Sequence, residues 1–183
     1  MSLGAYISGY VDGEGCFTVS FSKRTKLKVG WEVKPSFSVS QNEDRAQVLD
    51  LMKEYFGCGS LRRDYSDKTL KCETRNLQNL IGKIIPHFRK FPLLSAKNED
   101  FLLFAGICGM IAKGMHLTSN GLKAILDLAF QMNPGGKRKY SKMEILYSLE
   151  KDIVSTLRKQ GSYEVPTRIN SGTTGGLSQP IAR

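Results

Sequence analysis

The sequence predicts an α+β fold in which helices pack against an antiparallel sheet, and three observations carry that prediction. Residues 17–24 and 33–40 alternate apolar and polar side chains with a period of two. Beyond residue 76 the apolar spacing becomes helical, punctuated by Pro86, Pro92 and the Pro134-Gly-Gly136 turn. Glycines stand where the two patterns meet, as in Gly13 and Gly15, and again in Gly57 and Gly59.

Residues 2–11 suit a short helix, which Gly13 and Gly15 are expected to end. Phe17, Val19 and Phe21 then point one way, while Thr18, Ser20, Ser22 and Arg24 point the other. After a Lys-rich turn, Val33, Pro35, Phe37 and Val39 face one side, and Lys34, Ser36, Ser38 and Ser40 face the opposite side. The two runs read as an antiparallel pair with one buried face and one polar face. Asn42 is placed to cap a helix running through Phe56, with Val48, Leu49, Met52 and Phe56 on its apolar stripe and Gly57 at its end. Residues 60–75 read as a second hairpin with a Tyr-Ser-Asp-Lys turn; Leu70 and Cys72 face the core, leaving Lys71, Glu73 and Arg75 on the polar face. Helices are expected over 76–90, 96–112, 118–132 and 141–159, closing a single domain at 1–160. The Gly/Ser/Thr-rich stretch 161–183 is expected to be a flexible tail.

Charge narrows the choice of partner. The chain has 183 residues, with 27 Lys and Arg against 17 Asp and Glu, a formal charge of +10 for which nucleic acid and anionic membrane are the natural partners. No apolar run approaches the ~20 residues of a membrane span. Asp12 and Glu14 interrupt any apolar leader core. Cys16, Cys58, Cys72 and Cys108 lie far apart without C-x-x-C spacing, and read as reduced thiols of an intracellular protein. With only His87 and His116, no Cys/His zinc site is evident, and a histidine-rich metal nuclease core is hard to build.

The polar sheet face gathers hydroxyls and bases: Thr18, Ser20, Ser22, Arg24, Lys34, Ser36, Ser38 and Ser40, with Lys26 and Lys28 near the first turn. Arg62, Arg63, Lys68, Lys71, Glu73 and Arg75 extend it in the second hairpin. A two-stranded ribbon fits the DNA major groove, where such side chains read base edges and turn lysines hold phosphates. A solvated sheet face accounts for the same composition. Stacking platforms of the single-strand-binding kind are not evident. The run Lys137-Arg-Lys139 with Lys142 reads equally as an extension of a DNA footprint or as a solubilising periphery.

The segment Gly4 to Gly15 carries the strongest signal. On a helix, Ala5, Ser8, Gly9 and Asp12 form one stripe whose small side chains let a second helix approach closely. Asp12 and Glu14 then lie at the helix C-terminus, where the dipole disfavours anions, so a cation or another helix's N-terminus should compensate them. Taken locally, Asp-Gly-Glu-Gly is also an ordinary surface turn.

Ile7-Ser-Gly-Tyr-Val-Asp-Gly-Glu-Gly15 resembles the motif of the LAGLIDADG homing endonucleases. The resemblance extends through Cys16-Phe17, Phe37-Ser-Val-Ser-Gln41 and Pro92-Leu-Leu-Ser-Ala-Lys97, and covers residues 4–132. Ile7-Ser8 stands where the consensus has Leu-Ala, and Glu14 where it has the second Asp. One copy of the motif is present; Phe104-Ala-Gly-Ile-Cys-Gly109 begins similarly but lacks both acids.

The resemblance implies an α-β-β-α-β-β-α saddle with extra C-terminal helices. It implies an intron-encoded enzyme that hydrolyses both strands of a long pseudo-palindromic site and leaves short 3′ overhangs. The single motif implies a homodimer joined through Ala5, Ser8, Gly9 and Asp12. Glu14 and the Gly13 carbonyl would bind Mg2+, with Mn2+ able to substitute and Ca2+ binding without supporting cleavage. Gln41 would orient the water network, Arg45 would neutralise phosphate charge, and Lys97 matches the active-site lysine. The implied setting is a bacterial cytoplasm, chloroplast or mitochondrion, with double-stranded DNA as substrate and no membrane or small-molecule partner. An intron RNA maturase on the same fold and a non-catalytic DNA-binding regulator are the rival readings.

Overall fold

A computed structural model describes residues 2–65 and 68–159; the 161–183 tail, the proposed domain limit at 160 and the centre of the second hairpin turn lie outside the described residues. Helix α1 spans Leu3–Glu14, capped by the Ser2 hydroxyl, which accepts from the Ala5 N–H at 3.3 Å. The helix runs through Gly13 instead of stopping at residue 11. Gly15 begins β1 (Gly15–Lys23) with no intervening loop. A side chain there would fall on the Val11 side chain and carbonyl, which is why this abrupt junction needs glycine.

Strand β2 (Trp31–Asn42) pairs antiparallel with β1 in the register Phe17↔Phe37, Val19↔Pro35 and Phe21↔Val33. Asn42 belongs to this strand, opposite Thr69, and makes no side-chain cap. A 3-10 turn at Glu43–Arg45 follows, so α2 starts later than expected, at Gln47–Phe56, and ends on Gly57 at φ 56. Strands β3 (Ser60–Asp64) and β4 (Thr69–Thr74) complete one sheet in the order β1-β2-β4-β3.

Helix α3 runs from Leu77–Asn79 through a π-helical turn at Leu80–Ile84 into Ile85–Lys90. Pro86 explains the π turn. Proline has no N–H to donate, and its ring clashes with the carbonyl four residues earlier, so a widened turn keeps the helix going. Helices α4 (Lys97–Ala112), α5 (Ser119–Ala129) and α6 (Lys142–Lys159) follow. Among the described residues no helix is long and apolar enough to cross a membrane.

The core lies between the apolar sheet face and the helices. Phe17 is its hub, with ring centroids 5.2–5.4 Å from Phe37, Phe88, Phe101 and Phe104. The free edge of β1 is covered by the segment after α5. Asn133 donates through Nδ2 to the Phe17 carbonyl at 2.8 Å, and Arg138 donates to those of Val19, Ala129 and Met132. The Arg138 guanidinium also lies 4.6 Å from the Phe130 ring centroid. The centre of the basic run is thus a structural clasp rather than a free cation.

All four cysteines are free thiols. Burial pushes Cys72 up to about 11 and Cys108 up to about 12, so neither is a nucleophile at neutral pH. His87 is buried between Ser8 and Tyr55. The Ser8 hydroxyl donates to the Phe91 carbonyl at 2.7 Å, so it can only accept from His87 Nε2–H, which leaves Nδ1 to accept from Tyr55. Burial lowers the His87 pKa from 6.5 to about 4. The unfolded chain therefore binds an extra proton between those values. The stabilisation is full above pH 6.5 and declines as pH falls toward 4, by at most about 3 kcal/mol. NMR titration should find the His87 ring still neutral at pH 5; a midpoint near 6.5 would contradict this arrangement.

Candidate active site and nucleic-acid interface

Strand alternation sorts the basic residues. Register places Cys16, Thr18, Ser20, Ser22, Glu32, Lys34, Ser36, Ser38, Ser40, Arg62, Lys71 and Glu73 on the face away from the core. Arg63 lies opposite Leu70 on the helix side, where it pairs with Glu43 at 2.5 Å and stacks on Tyr65. Adjacent residues of one strand cannot share a face, so the expectation that Arg62 and Arg63 both belong to the polar face is corrected: Arg62 lies on it and Arg63 does not.

Ser36 and Ser38 are also corrected. They sit mid-sheet on β2, flanked by neighbours on both sides, and are only 7% and 4% exposed. They form the floor of the face rather than protruding contacts. The Ser36 hydroxyl donates to Glu73 at 2.8 Å.

Two carboxylates lie within this basic face. Glu32 pairs with Lys34 at 3.1 Å and with Arg24 at 3.6 Å; its bond from Lys34 holds its pKa below the usual range. Glu73 pairs with Arg75 at 2.9 Å. Burial pushes Glu73 up, but the bonds from Ser36 and Arg75 overcome that and leave it net lowered. Lys26, Lys28 and Lys68 are exposed in the hairpin turns, Lys68 at φ 57.

The acidic motif is organised by an exchange between two helix ends. Asp12, in the last turn of α1, accepts from Leu94 N–H at 2.7 Å, from Ser95 N–H at 3.1 Å and from the Ser95 hydroxyl at 2.5 Å, just before α4. Lys97, the first residue of α4, returns its amine to the Val11 and Gly13 carbonyls at 3.0 and 3.2 Å. Burial pushes the Asp12 carboxyl up, yet these bonds and the Lys97 charge hold it below the ordinary value. Glu14 follows, exposed, with no hydrogen bond or ion pair to any described residue.

The exchange and the Ser8–Phe91 bond turn Asp12 and Ser8 toward their own chain, correcting the expected contact stripe. The open face of α1 carries Ala5, Gly9 and Gly13, and a methyl group on either glycine would meet nothing within 4 Å. Gln41 ends its run on the core side of β2, donating through Nε2 to the Tyr10 hydroxyl at 2.6 Å. Arg45 is exposed, and with Tyr6, Tyr10, Gln41 and Leu51 it lines a concavity of about 480 Å3 between α1 and α2. Tyr10 and Ser95 were not singled out as candidates. Tyr10 lies inside the motif, but its hydroxyl's partner depends on the α1–β2 docking.

Residues 7–108 match the family model described as LAGLIDADG endonuclease. Among curated proteins the chain is 32% identical over 132 residues to a probable intron-encoded endonuclease 2 of Neurospora crassa, covering 72% of this chain and 29% of that protein. It spans less than a third of the length of the first curated relatives it matches. Among solved structures, the archaeal intron-encoded homing endonuclease I-Vdi141I, complexed with DNA, has a TM-score of 0.76 at 29% identity, covering 82% of this chain and 96% of that one. I-SmaMI, bound to uncleaved DNA target in the presence of calcium ions, has a TM-score of 0.73 at 28% identity, covering 82% of this chain and 50% of that one.

Asp12→Ala leaves Leu94 and Ser95 without their acceptor. It should cost about 2 kcal/mol and lower the melting temperature by about 5 °C. Thermal unfolding followed by circular dichroism checks this, and an unchanged melting temperature would show that the helix-end exchange adds nothing to stability.

Proposed function

The chain belongs to the LAGLIDADG endonuclease family, and from that premise we propose that it is a site-specific, metal-dependent DNA endonuclease acting as a pair of such units. One observation carries the reading. Glu14 is a carboxylate without a partner among the described residues, held at the end of a helix whose neighbouring acid and lysine are already engaged with each other's helices.

The donor set suits a divalent cation of the Mg2+ type. Glu14 offers carboxylate oxygens, and the Gly13 carbonyl, which receives one bond from Lys97, keeps a second lone pair. Both are hard oxygen donors, which also suits Mn2+ and Ca2+. Among the described residues no three His, Cys, Asp or Glu side chains cluster as a metal site. One unit therefore supplies too few ligands, and the remainder would come from a second Glu14, from phosphate oxygens and from water. When bound, the metal would supply Lewis-acid activation of water and stabilisation of the leaving oxygen.

The chain's own groups do the rest. Lys97 fixes the Gly13 carbonyl and brings positive charge beside it. Gln41 orients water, and Arg45, whose link to Asp44 is long at 3.8 Å and exposed, can turn to a phosphate. Thr18, Ser20, Lys34, Arg62 and Lys71 face the major groove, and Lys26, Lys28 and Lys68 hold flanking phosphates. Close approach of two α1 helices through Ala5, Gly9 and Gly13 would join a homodimer, with Leu3 and Tyr6, each just over 40% exposed, at its margin. Two-fold symmetry then implies a pseudo-palindromic site, cut in both strands to leave short 3′ overhangs. The gene would be carried by an intron of an organellar or bacterial genome.

A randomised duplex library, enriched for binding in Ca2+ and then exposed to Mg2+, tests the reading. The enriched duplexes should be cut in both strands with Mg2+ or Mn2+ and remain intact with Ca2+. Glu14→Gln should bind them as well as the wild type and cut at least about 100-fold more slowly. Binding without metal-dependent nicking would indicate a regulator, and preference for intron RNA a maturase. Sedimentation of a monomer that still cuts both strands would refute the paired arrangement.

The parity of β3 supplies a second test. Arg62→Ala should weaken DNA binding about tenfold with little change in stability. Arg63→Ala should leave DNA binding unchanged and destabilise the fold by less than about 1 kcal/mol. The reverse pattern in binding titrations would invalidate the assigned face.

A further inference from the structure

The polarity of the Gln41 carboxamide is fixed by its neighbours. Its Oε1 receives the Asn42 backbone N–H at 2.8 Å, and that partner can only donate. The nitrogen end therefore faces Tyr10, and the phenol oxygen, 2.6 Å away, must accept. Two donors are left over: the second Nε2–H of Gln41 and the Tyr10 hydroxyl proton, which has no acceptor among the described residues. Both groups line the same concavity as the Arg45 guanidinium.

We propose that Tyr10 is a positioning residue of the cleavage centre, its hydroxyl holding Gln41 so that the second amide N–H is aimed into the concavity at one oxygen of water or phosphate. The inference rests on the reading of Gln41 as a site residue. A glutamine at a strand end loses considerable rotamer freedom when it is held in one orientation. Backbone contact with Asn42 ties one end of the amide, and the Tyr10 hydroxyl is the group that ties the other. Tyr10 is itself steadied by partial burial against the core and by the Tyr6 ring, whose centroid lies 6.5 Å away. The phenol acts through Gln41 and does not require contact with the reacting phosphorus.

Tyr10→Phe removes only the hydroxyl. With the full chain and a duplex substrate, it should lower the single-turnover cleavage rate about tenfold, the size of one hydrogen bond. DNA affinity measured in Ca2+ and the sedimentation profile should not change. Gln41→Met should lower the rate by more, and Tyr10→Phe should add nothing in that background. In NMR spectra of the free protein, the Gln41 side-chain amide should lose its shifted, slowly exchanging signal in Tyr10→Phe. Equal losses in both backgrounds, a wild-type rate for Tyr10→Phe, or an unaltered Gln41 amide would overturn the inference while leaving Gln41 in the site. A wild-type rate for Gln41→Met would overturn both the inference and the assignment of Gln41.

Discussion

The exchange between α1 and α4 is the contact on which the rest of the site depends. A helix C-terminus is a poor place for an acid, and a helix N-terminus a poor place for a lysine. Crossing the two resolves both problems. Asp12 reaches the N–H groups before α4, and Lys97 reaches the carbonyls at the end of α1, so each charge sits at the helix end that suits its sign. Such contacts are worth about 0.3–1 kcal/mol when exposed and up to about 2 kcal/mol when partly buried. The exchange also decides chemistry. With Asp12 and Lys97 engaged, Glu14 is the acid left facing outward, and the Gly13 carbonyl beside it is held in place.

The sheet follows a second constraint, the two-residue period of its strands. Parity sends Arg62 and Arg63 to opposite faces, and it keeps Gln41 on the helix side, within reach of Tyr10. Position across the sheet matters as well. On central β2, serines are overshadowed by their neighbours, whereas side chains near the margins stay accessible. The basic face is also less positive than a count of lysines and arginines suggests, since Glu32 and Glu73 bind Arg24, Lys34 and Arg75. As a groove reader it would present acceptors among donors, a pattern that distinguishes base pairs better than uniform charge.

Sequence alone determined the order of elements, the two hairpins, the buried face of the sheet and the acid motif with Glu14 at its end. Those features are local. They follow from a period of two or 3.6, from glycine and proline at junctions, and from residues consecutive in the chain. The helix boundaries that missed did so where a distant group intervened. Lys97 prolongs α1 past Gly13, and strand pairing with β4 holds Asn42 in β2.

Only the tertiary structure decided which polar groups are free. Ser8 looked like a small residue for a helix contact, but Phe91 and His87, some eighty positions away, claim its hydroxyl. Arg138 looked like a surface cation, but the edge of β1 and the end of α5 claim its guanidinium. Tyr10 carries no signal of its own in the sequence, but its hydroxyl receives the Gln41 amide. Hydrogen-bond partners far apart in the chain leave no periodic trace in sequence, because pairing depends on where helices dock and not on which residues neighbour one another.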